Sequence, residues 1–265
     1  MTADPAAELA RRCCAAAYSG DAVAMVLGES YHPGGLALTR ELLSHLELRA
    51  GQRVLDVAAG RGASALLIAT EHSVEVDGVD LSPANVDRAN TAAHGAGLGS
   101  RVRFHLGDAE RLPLGDGAVD AAVCECAFCT FPDKPAAAAE LARVLRRGGR
   151  LGITDVTVAP PGLTGDLAGL AGWVACLADA RPLEEYSSIL AAAGLRTVHT
   201  ERHDAALARM VEEIDARLRA LRMVRAAVPA IEGIDVDRAL DLCAQAAAAV
   251  RGGVAGYAML VAVRE

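Results

Sequence analysis

The stretch VLDVAAGRGAS, residues 54–64, decides the fold. Its apolar first half predicts a buried strand, and the small residues that follow predict a tight turn into a helix. Gly60 and Gly62 stand in that turn, where a residue without a Cβ lets backbone amides approach a ligand closely. The stretch therefore predicts a strand, a glycine turn and a helix built around a bound small molecule.

A second apolar run, residues 74–79, ends in Asp80 and is followed by Pro83. Proline is favoured at the first position of a helix, so a helix is predicted to begin there. Asp80 lies about 20 residues past the glycines, the spacing at which an acid accepts hydrogen bonds from ribose hydroxyls. Together the two runs predict a nucleoside-binding unit.

The glycines alone leave the nucleoside open, because G-x-G-x-x-A also fits the loose dinucleotide fingerprint of an NAD-dependent dehydrogenase. An ordinary tight turn of an α/β protein is the third interpretation. Asp56, four residues before Gly60, separates these alternatives. A carboxylate at this point would repel a pyrophosphate and would suit a cationic ligand.

The pattern D-x-A-x-G-x-G at residues 56–62 resembles motif I of the class I S-adenosylmethionine-dependent methyltransferases, whose ligand carries an amino group and a sulfonium. Ala58 stands where that family often has its first glycine. Residues 107–109, Gly-Asp-Ala, resemble the family's GDA-type turn, and residues 141–149, LARVLRRGG, resemble its RVLRPGG turn. The latter run is predicted to end a helix in a glycine C-cap.

The resemblance implies S-adenosyl-L-methionine as cofactor and S-adenosyl-L-homocysteine as product. Asp108 would accept from the adenine amine, although a helix N-cap is an equal and compatible role for it. The implied cofactor-binding residues are Asp56, Ala58, Gly60, Gly62, Asp80, Leu81, Asp108, Ala109 and Glu125.

The composition of the chain indicates which partners and which cellular compartment to expect. The net charge of −8 and the absence of a basic stripe argue against a nucleic-acid partner. The start, MTADPAAELARR, predicts no signal peptide, and no apolar run approaches the roughly 18 residues of a membrane span. The seven cysteines are odd in number and unevenly placed, which favours a cytoplasmic protein over a disulfide framework.

Alternating strand and helix patterns over residues 54–158 predict a parallel sheet with right-handed crossovers. The resemblance implies an α/β, Rossmann-like class I methyltransferase fold: a mostly parallel seven-stranded sheet with an antiparallel last strand and a helical C-terminal insertion. The predicted parts are an N-terminal helical cap (1–48), the cofactor-binding core (49–204), a helical insertion serving as lid or homodimer surface (205–251) and the last strand (252–265).

The acceptor should be held at the end of the fourth strand, where residues 125–131 read ECAFCTF. Amide and base N-methyltransferases carry an Asn/Asp-Pro-Pro-aromatic run there, so soft sulfur is indicated rather than a planar amine. Cys124, Cys126 and Cys129 lack a fourth Cys or His at suitable spacing, so no metal site is predicted. Tyr31 and His32, in the break after the N-terminal helix, are further candidate pocket residues.

Residues 120–155 resemble the arsenite methyltransferases, and Cys176 falls where that family has its second arsenic-binding cysteine. The resemblance implies that Cys126 and Cys176 hold trivalent arsenic as thiolates, which select soft centres. Arsenic would need positioning and desolvation but no general base. Family members have a further cysteine before motif I; Cys13, Cys14 or Cys129 would have to replace it.

The alternatives are an organic thiol or another small O, C or N acceptor, for which Glu125 or His32 would act as base. In that case Cys126 and Cys176 are buried and inert. A non-catalytic nucleoside-binding module and a dehydrogenase are less favoured. All methyltransferase interpretations predict a small-molecule or metalloid substrate and no membrane partner.

Overall fold

Seven strands form one sheet in the computed structural model, which describes residues 16, 18–28, 31–160, 162–168, 177, 179–224 and 235–265. In chain order they are β1 (Arg53–Val57), β2 (Glu75–Asp80), β3 (Val102–Leu106), β4 (Val119–Glu125), β5 (Leu145–Val158), β6 (Leu195–Arg202) and β7 (Ala255–Arg264). The spatial order is β3-β2-β1-β4-β5-β7-β6, and only the two pairings of β7 are antiparallel. The predicted mostly parallel sheet with an antiparallel last strand is confirmed.

Helices separate the strands as the sequence pattern predicts. Within the described residues they are α1 (Asp21–Leu27), α2 (Gly35–Ser44), α3 (Ala63–His72), α4 (Pro83–Gly95), α5 (Lys134–Val144), α6 (Leu183–Ala192), α7 (Asp204–Val224) and α8 (Val236–Arg251). Short 3-10 turns lie at Phe128–Thr130 and Gly165–Ala168. No helix among the described residues is long and apolar enough to cross a membrane.

The position of β1 in the sheet fixes where a ligand can bind. Every residue of β1 after Arg53 is buried, as expected for a parallel strand covered on both faces. The chain runs from β1 outward through β2 to β3, then returns to add β4 on the other side of β1. The direction in which successive strands are added therefore reverses between β1 and β4. A crevice opens at the carboxyl ends of these two strands.

The start of α4 follows the sequence prediction closely. Pro83 is the first helical residue, and the side chain of Ser82 accepts a hydrogen bond from the Asn85 N–H as the N-cap. This cap holds the turn that follows Asp80, so the local sequence fixes both the helix start and the position of the acid.

The predicted glycine C-cap of the following helix is wrong. Helix α5 ends at Val144, and Leu145 is already extended and paired with Val119 of β4. The Gly117 N–H and the Arg264 guanidinium both donate to the carbonyl of Arg143. Because these distant donors satisfy the end of α5, the glycines at 148 and 149 are left to shape the beginning of β5 instead.

Helices α7 and α8 lie between β6 and β7 in the chain and pack against each other. The apolar stripe of α7 is buried at Leu207, Val211 and Leu218, and the Cys243 thiol of α8 donates to the Val211 carbonyl over 3.3 Å. The stripe is therefore covered from within the chain. The division into four parts stays a prediction.

Candidate functional site

A pocket opens at the carboxyl ends of β1, β2 and β4, where the switch point predicts it. Most of the predicted site residues line it: Tyr31, His32, Asp56, Ala58, Gly60, Asp80, Leu81, Asp108, Ala109, Glu125 and Cys126. The fold thus brings together residues from five separate segments. Tyr18, Arg61, Ser64, Asn85 and Phe131 also line the pocket and were not predicted.

Asp80 holds the glycine turn in place. One carboxylate oxygen accepts from the Gly60 N–H over 2.8 Å, and the other accepts from the Ser82 N–H over 2.8 Å and from the Asn85 amide over 3.3 Å. Burial raises the pKa of Asp80, and these hydrogen bonds partly offset that shift. The acid at the end of β2 therefore fixes the backbone at the end of β1 before any ligand is bound.

The turn is open towards the pocket at one glycine only. A Cβ built on Gly60, whose φ is +54°, would meet no atom within 4 Å. A Cβ on Gly62 would lie 2.6 Å from the Phe104 ring and 3.2 Å from Ala89. Gly62, predicted as a cofactor contact, does not line the pocket, and its lack of a side chain allows α3 to pack closely on the sheet.

Asp56, near the end of β1, places a carboxyl group in the wall of the pocket. Its side chain is buried, and its Oδ2 has no hydrogen-bond partner among the described residues. Burial raises the pKa of Asp56 well above its ordinary value, and repulsion from Glu125 and Asp80 raises it further. A buried acceptor without a donor is costly, so this oxygen fits a ligand that brings a cation or an N–H donor.

Glu125, at the end of β4, belongs to a network of hydroxyl groups. The Thr39 hydroxyl donates to it over 3.0 Å and the Ser64 hydroxyl over 2.6 Å. The His32 Nε2 lies 3.8 Å from Glu125 Oε2 and 3.5 Å from the Thr39 hydroxyl, and the side chains of His32 and Glu125 are nearly fully buried. The imidazole and the carboxylate therefore face one another inside the pocket.

Thr39 and Ser64, which donate hydrogen bonds to Glu125, are residues that the sequence interpretation missed. Thr39 is a buried polar residue among the apolar positions Leu38, Leu42 and Leu43 of α2, and such an interruption is a detectable signal. Ser64 lies in the first turn of α3, next to the glycines. Its role becomes visible only once β4 is placed beside β1.

Two non-glycine residues at the pocket have left-handed backbone conformations. Ala58 has a φ of +58° and Cys126 a φ of +52°. Left-handed backbone disfavours residues with a Cβ, which explains why glycine would suit position 58. In both cases the chain turns sharply just after a strand, at the edge where the ligand is expected.

The N-terminal segment and the third strand complete the walls. The Arg61 guanidinium lies 6.0 Å from the centre of the Tyr31 ring, and the Tyr18 ring lies 6.2 Å from it. On the other wall the Asp108 carboxylate accepts from the Glu110 N–H over 2.9 Å, which fixes the turn after β3. Asp108 therefore combines a turn-forming role with a place on the pocket surface.

The cysteines separate into different environments. Cys124 is fully buried in β4, as predicted, and burial raises the pKa of its thiol well above the usual range. Cys126 lines the pocket, whereas Cys129 is buried outside it, with its N–H donating to Asp155 over 2.8 Å. Cys176, Cys13 and Cys14 lie outside the described residues.

Comparison with known proteins agrees with this geometry. A family model described as "Methyltransferase domain" matches residues 55–153, which run from β1 through most of β5. The chain thus has a match to a methyltransferase domain over residues 55–153. The order of its strands and the predicted resemblance lead to the same family.

Two curated relatives show how far the likeness extends. The chain is 36% identical to the 27-O-demethylrifamycin SV methyltransferase of Amycolatopsis mediterranei over 170 residues, which are 62% of this chain and 61% of the relative. It is 32% identical to an arsenite methyltransferase of Halobacterium salinarum over 155 residues, 56% of this chain and 38% of the relative. The chain thus spans about three fifths of the first relative's length.

The fold outside the methyltransferase domain also has a solved counterpart. The geranyl diphosphate C-methyltransferase of Streptomyces coelicolor, solved in complex with S-adenosyl-L-homocysteine, superposes with a TM-score of 0.76. The comparison covers 100% of both chains at 19% sequence identity. This likeness concerns the fold.

Proposed function

We propose that the protein is an S-adenosylmethionine-dependent methyltransferase that acts on a small molecule. The observation that carries the proposal is the buried Asp56 oxygen, which has no partner among the described residues and lies in a pocket shared with Asp80 and Glu125. A ligand with an ammonium and a sulfonium matches this negative charge, whereas the pyrophosphate of NAD does not.

The residues present fit this cofactor. Asp80 keeps acceptor capacity beyond its three protein donors, since a carboxylate offers about four lone-pair sites. It would hold the ribose hydroxyls, Asp108 the adenine amine, and Asp56 with the open turn at Gly60 the amino-acid end. When bound, S-adenosylmethionine supplies an activated methyl group; the chain must position the acceptor and take up its proton.

A hydroxyl group is the acceptor that the pocket supports best. His32 faces Glu125, and Thr39 connects the two side chains. A neutral imidazole can accept the proton that a hydroxyl loses on methylation, and the buried carboxylate would stabilise the resulting imidazolium. The rifamycin relative, whose name describes an O-demethylated substrate, supports the same acceptor class.

Trivalent arsenic is the second candidate, and Cys126 favours it because this cysteine lines the pocket. The arsenite methyltransferase relative points in the same direction. A second thiolate would be required, and Cys176 is the proposed one. Thiolates prefer soft, thiophilic centres, so this acceptor would depend on sulfur rather than on His32.

The discriminating experiment supplies methyl-labelled S-adenosylmethionine with a panel of polyketide and phenolic alcohols, small thiols, arsenite and methylarsonous acid. Wild type is compared with His32→Gln, Cys126→Ser and Cys176→Ser. A hydroxyl acceptor predicts loss of turnover in His32→Gln alone, whereas arsenic predicts loss in both serine variants. If the wild type transferred label to none of these acceptor classes, the proposed activity would be wrong.

Helices α7 and α8 are proposed to form a cover over the acceptor side. Arg217 of α7 donates to the carbonyls of Val26 and Leu27 over 3.0 and 2.9 Å, which ties α7 to α1. Because α8 already buries the apolar stripe of α7, a homodimer surface is less favoured. Light scattering should give the mass of one chain; a mass of two chains would support the dimer.

A further inference from the structure

A cluster of histidines and glutamates lies away from the pocket, between the end of α2 and the edge strand β6. His45 follows the last residue of α2, and its ring stacks on that of His199 with centroids 4.1 Å apart. Glu201 lies two residues further along β6, with Oε2 3.4 Å from His199 Nε2. One donor atom from each of these three side chains lies within 4.8 Å of the others.

Two histidine nitrogens in this cluster lack the hydrogen bonds that buried polar atoms normally make. The Nε2 atoms of His199 and His203 are buried and have no hydrogen-bond partner among the described residues. His203 Nε2 is 4.0 Å from both Glu41 and Glu201, too far for a hydrogen bond. Two buried histidine nitrogens without a hydrogen bond, both near the Glu201 carboxylate, indicate that the cluster can take an additional ligand.

The surrounding charges favour a cation. Glu41 and Glu201 contribute two carboxylates, while nearby Arg150 donates to the His45 carbonyl and pairs with Glu47 rather than with the cluster. His45 also stands at the C-terminal end of the ten-residue helix α2, where the helix dipole favours positive charge. Among the described residues, the ion pairs of Glu41 and Glu201 are with histidines and not with Lys or Arg.

We propose that His45, His199 and Glu201 bind one divalent transition-metal ion of the zinc type. Two imidazoles and one carboxylate suit Zn²⁺ or Co²⁺, whereas Mg²⁺ and Ca²⁺ prefer oxygen ligands alone. Tetrahedral coordination places ligand atoms about 3.3 Å apart. The 3.4 Å between His199 Nε2 and Glu201 Oε2 matches this spacing. Because the His45 ring is stacked on the His199 ring, binding also requires the His45 ring to turn until a nitrogen lone pair points at the same ion.

The ion would act as a clamp between α2 and the edge of the sheet. Helix α2 carries Thr39, which donates to Glu125 in the pocket, so the clamp would hold the acceptor wall in position. The neighbouring set of Glu41, Glu201 and His203 shares Glu201. It offers only one imidazole, which makes it the weaker site for a borderline-soft ion.

The test is a titration of chelator-stripped, reduced protein with Co²⁺, read by visible absorption, and with Zn²⁺ in competition with a chromophoric chelator. The proposal predicts one tight site, with affinity lowered at least about tenfold in His45→Gln and in His199→Gln. His94→Gln, which changes an exposed histidine of α4, is the matched control and should bind like wild type. Zn²⁺ should also raise the melting temperature of wild type and of His94→Gln, but not that of His45→Gln or His199→Gln.

Two further variants keep the outcome decisive. Cys126→Ser should leave binding unchanged, because the ligands are nitrogen and oxygen; loss of the site in this variant would place the ion on pocket sulfur and overturn the proposal. Glu41→Gln should bind like wild type. Equal affinity in wild type and both histidine variants, when their metal-free melting temperatures match, would also overturn it.

Discussion

The two sides of the pocket are built in different ways. The cofactor side comes from consecutive strand ends, β1 to β3, and its acids Asp56, Asp80 and Asp108 follow one another in the sequence. The acceptor side joins His32 and Thr39, which precede β1, to Glu125 at the end of β4. Topology alone positions the first side, whereas the second depends on how α2 docks. Changes in α2 that abolish turnover should therefore leave cofactor binding unchanged.

The largest effect is expected on the acceptor side, from His32→Gln. Glutamine keeps hydrogen-bonding capacity but cannot take up a proton, so turnover of a hydroxyl acceptor should fall by about 10²- to 10⁴-fold. The dissociation constant for S-adenosylmethionine should not change, and His94→Gln is the control for both measurements. If turnover were unchanged, His32 would not be the general base, and an acceptor that needs no base would be favoured.

A smaller effect is expected on the cofactor side, from Asp80→Ala. The change removes acceptors for two ribose hydroxyls, and a loss of roughly 1.5–3 kcal/mol corresponds to about 10- to 150-fold weaker cofactor binding. Calorimetric titration measures this directly. Asp87→Ala, an exposed acid on α4, should bind as wild type does. Equal affinity in the two variants would show that Asp80 only shapes the turn.

The smallest effect is expected at Ala58, whose φ is +58°. Ala58→Gly removes a left-handed penalty of about 1–2 kcal/mol, but it adds about 0.4–1 kcal/mol of unfolded-state entropy. The free energy of unfolding should therefore rise by about 0.5 kcal/mol in urea denaturation. The control Ala92→Gly, exposed within α4, should lose about 0.5–1 kcal/mol. If Ala58→Gly lost as much free energy of unfolding as Ala92→Gly, the backbone at Ala58 would not be strained.

The contrast between the two sides also explains what the sequence could predict. The sheet and the positions of Asp56, Gly60 and Asp80 were predictable, because the carboxyl ends of parallel strands meet at one edge. The contacts of Glu125 with Thr39 and Ser64 were not, since they join residues 86 and 61 positions apart through the packing of two helices.

Distance along the chain hides the other missed features as well. The end of α5 is satisfied by Arg264, a residue of the last strand, so its local basic and glycine pattern was misleading. The cluster of His45, His199 and Glu201 has no metal-ligand spacing in the sequence, because α2 and β6 meet only in the folded sheet. Sequence motifs report contacts between residues that are close in the chain. The contacts at the end of α5 and in the histidine cluster join elements that are far apart in the chain, so no motif reports them.

We propose that Asp56 receives a cationic cofactor at a cost in the stability of the unliganded protein. Its raised pKa means that its charged form destabilises the fold, and this destabilisation appears as the pH rises through the raised pKa. Asp56→Asn should therefore melt higher than wild type at pH 8, by about 2–4 °C for each kcal/mol relieved, and the difference should shrink as the pH is lowered.

The decisive measurement combines thermal unfolding of wild type and Asp56→Asn at pH 8 with calorimetric titration of both by S-adenosylmethionine. We expect opposite changes: the asparagine variant should be more stable without ligand and should bind the cofactor at least about tenfold more weakly, as expected when a charged hydrogen bond is lost. Equal cofactor affinity in the two proteins, or tight binding of NAD by wild type, would contradict this proposal.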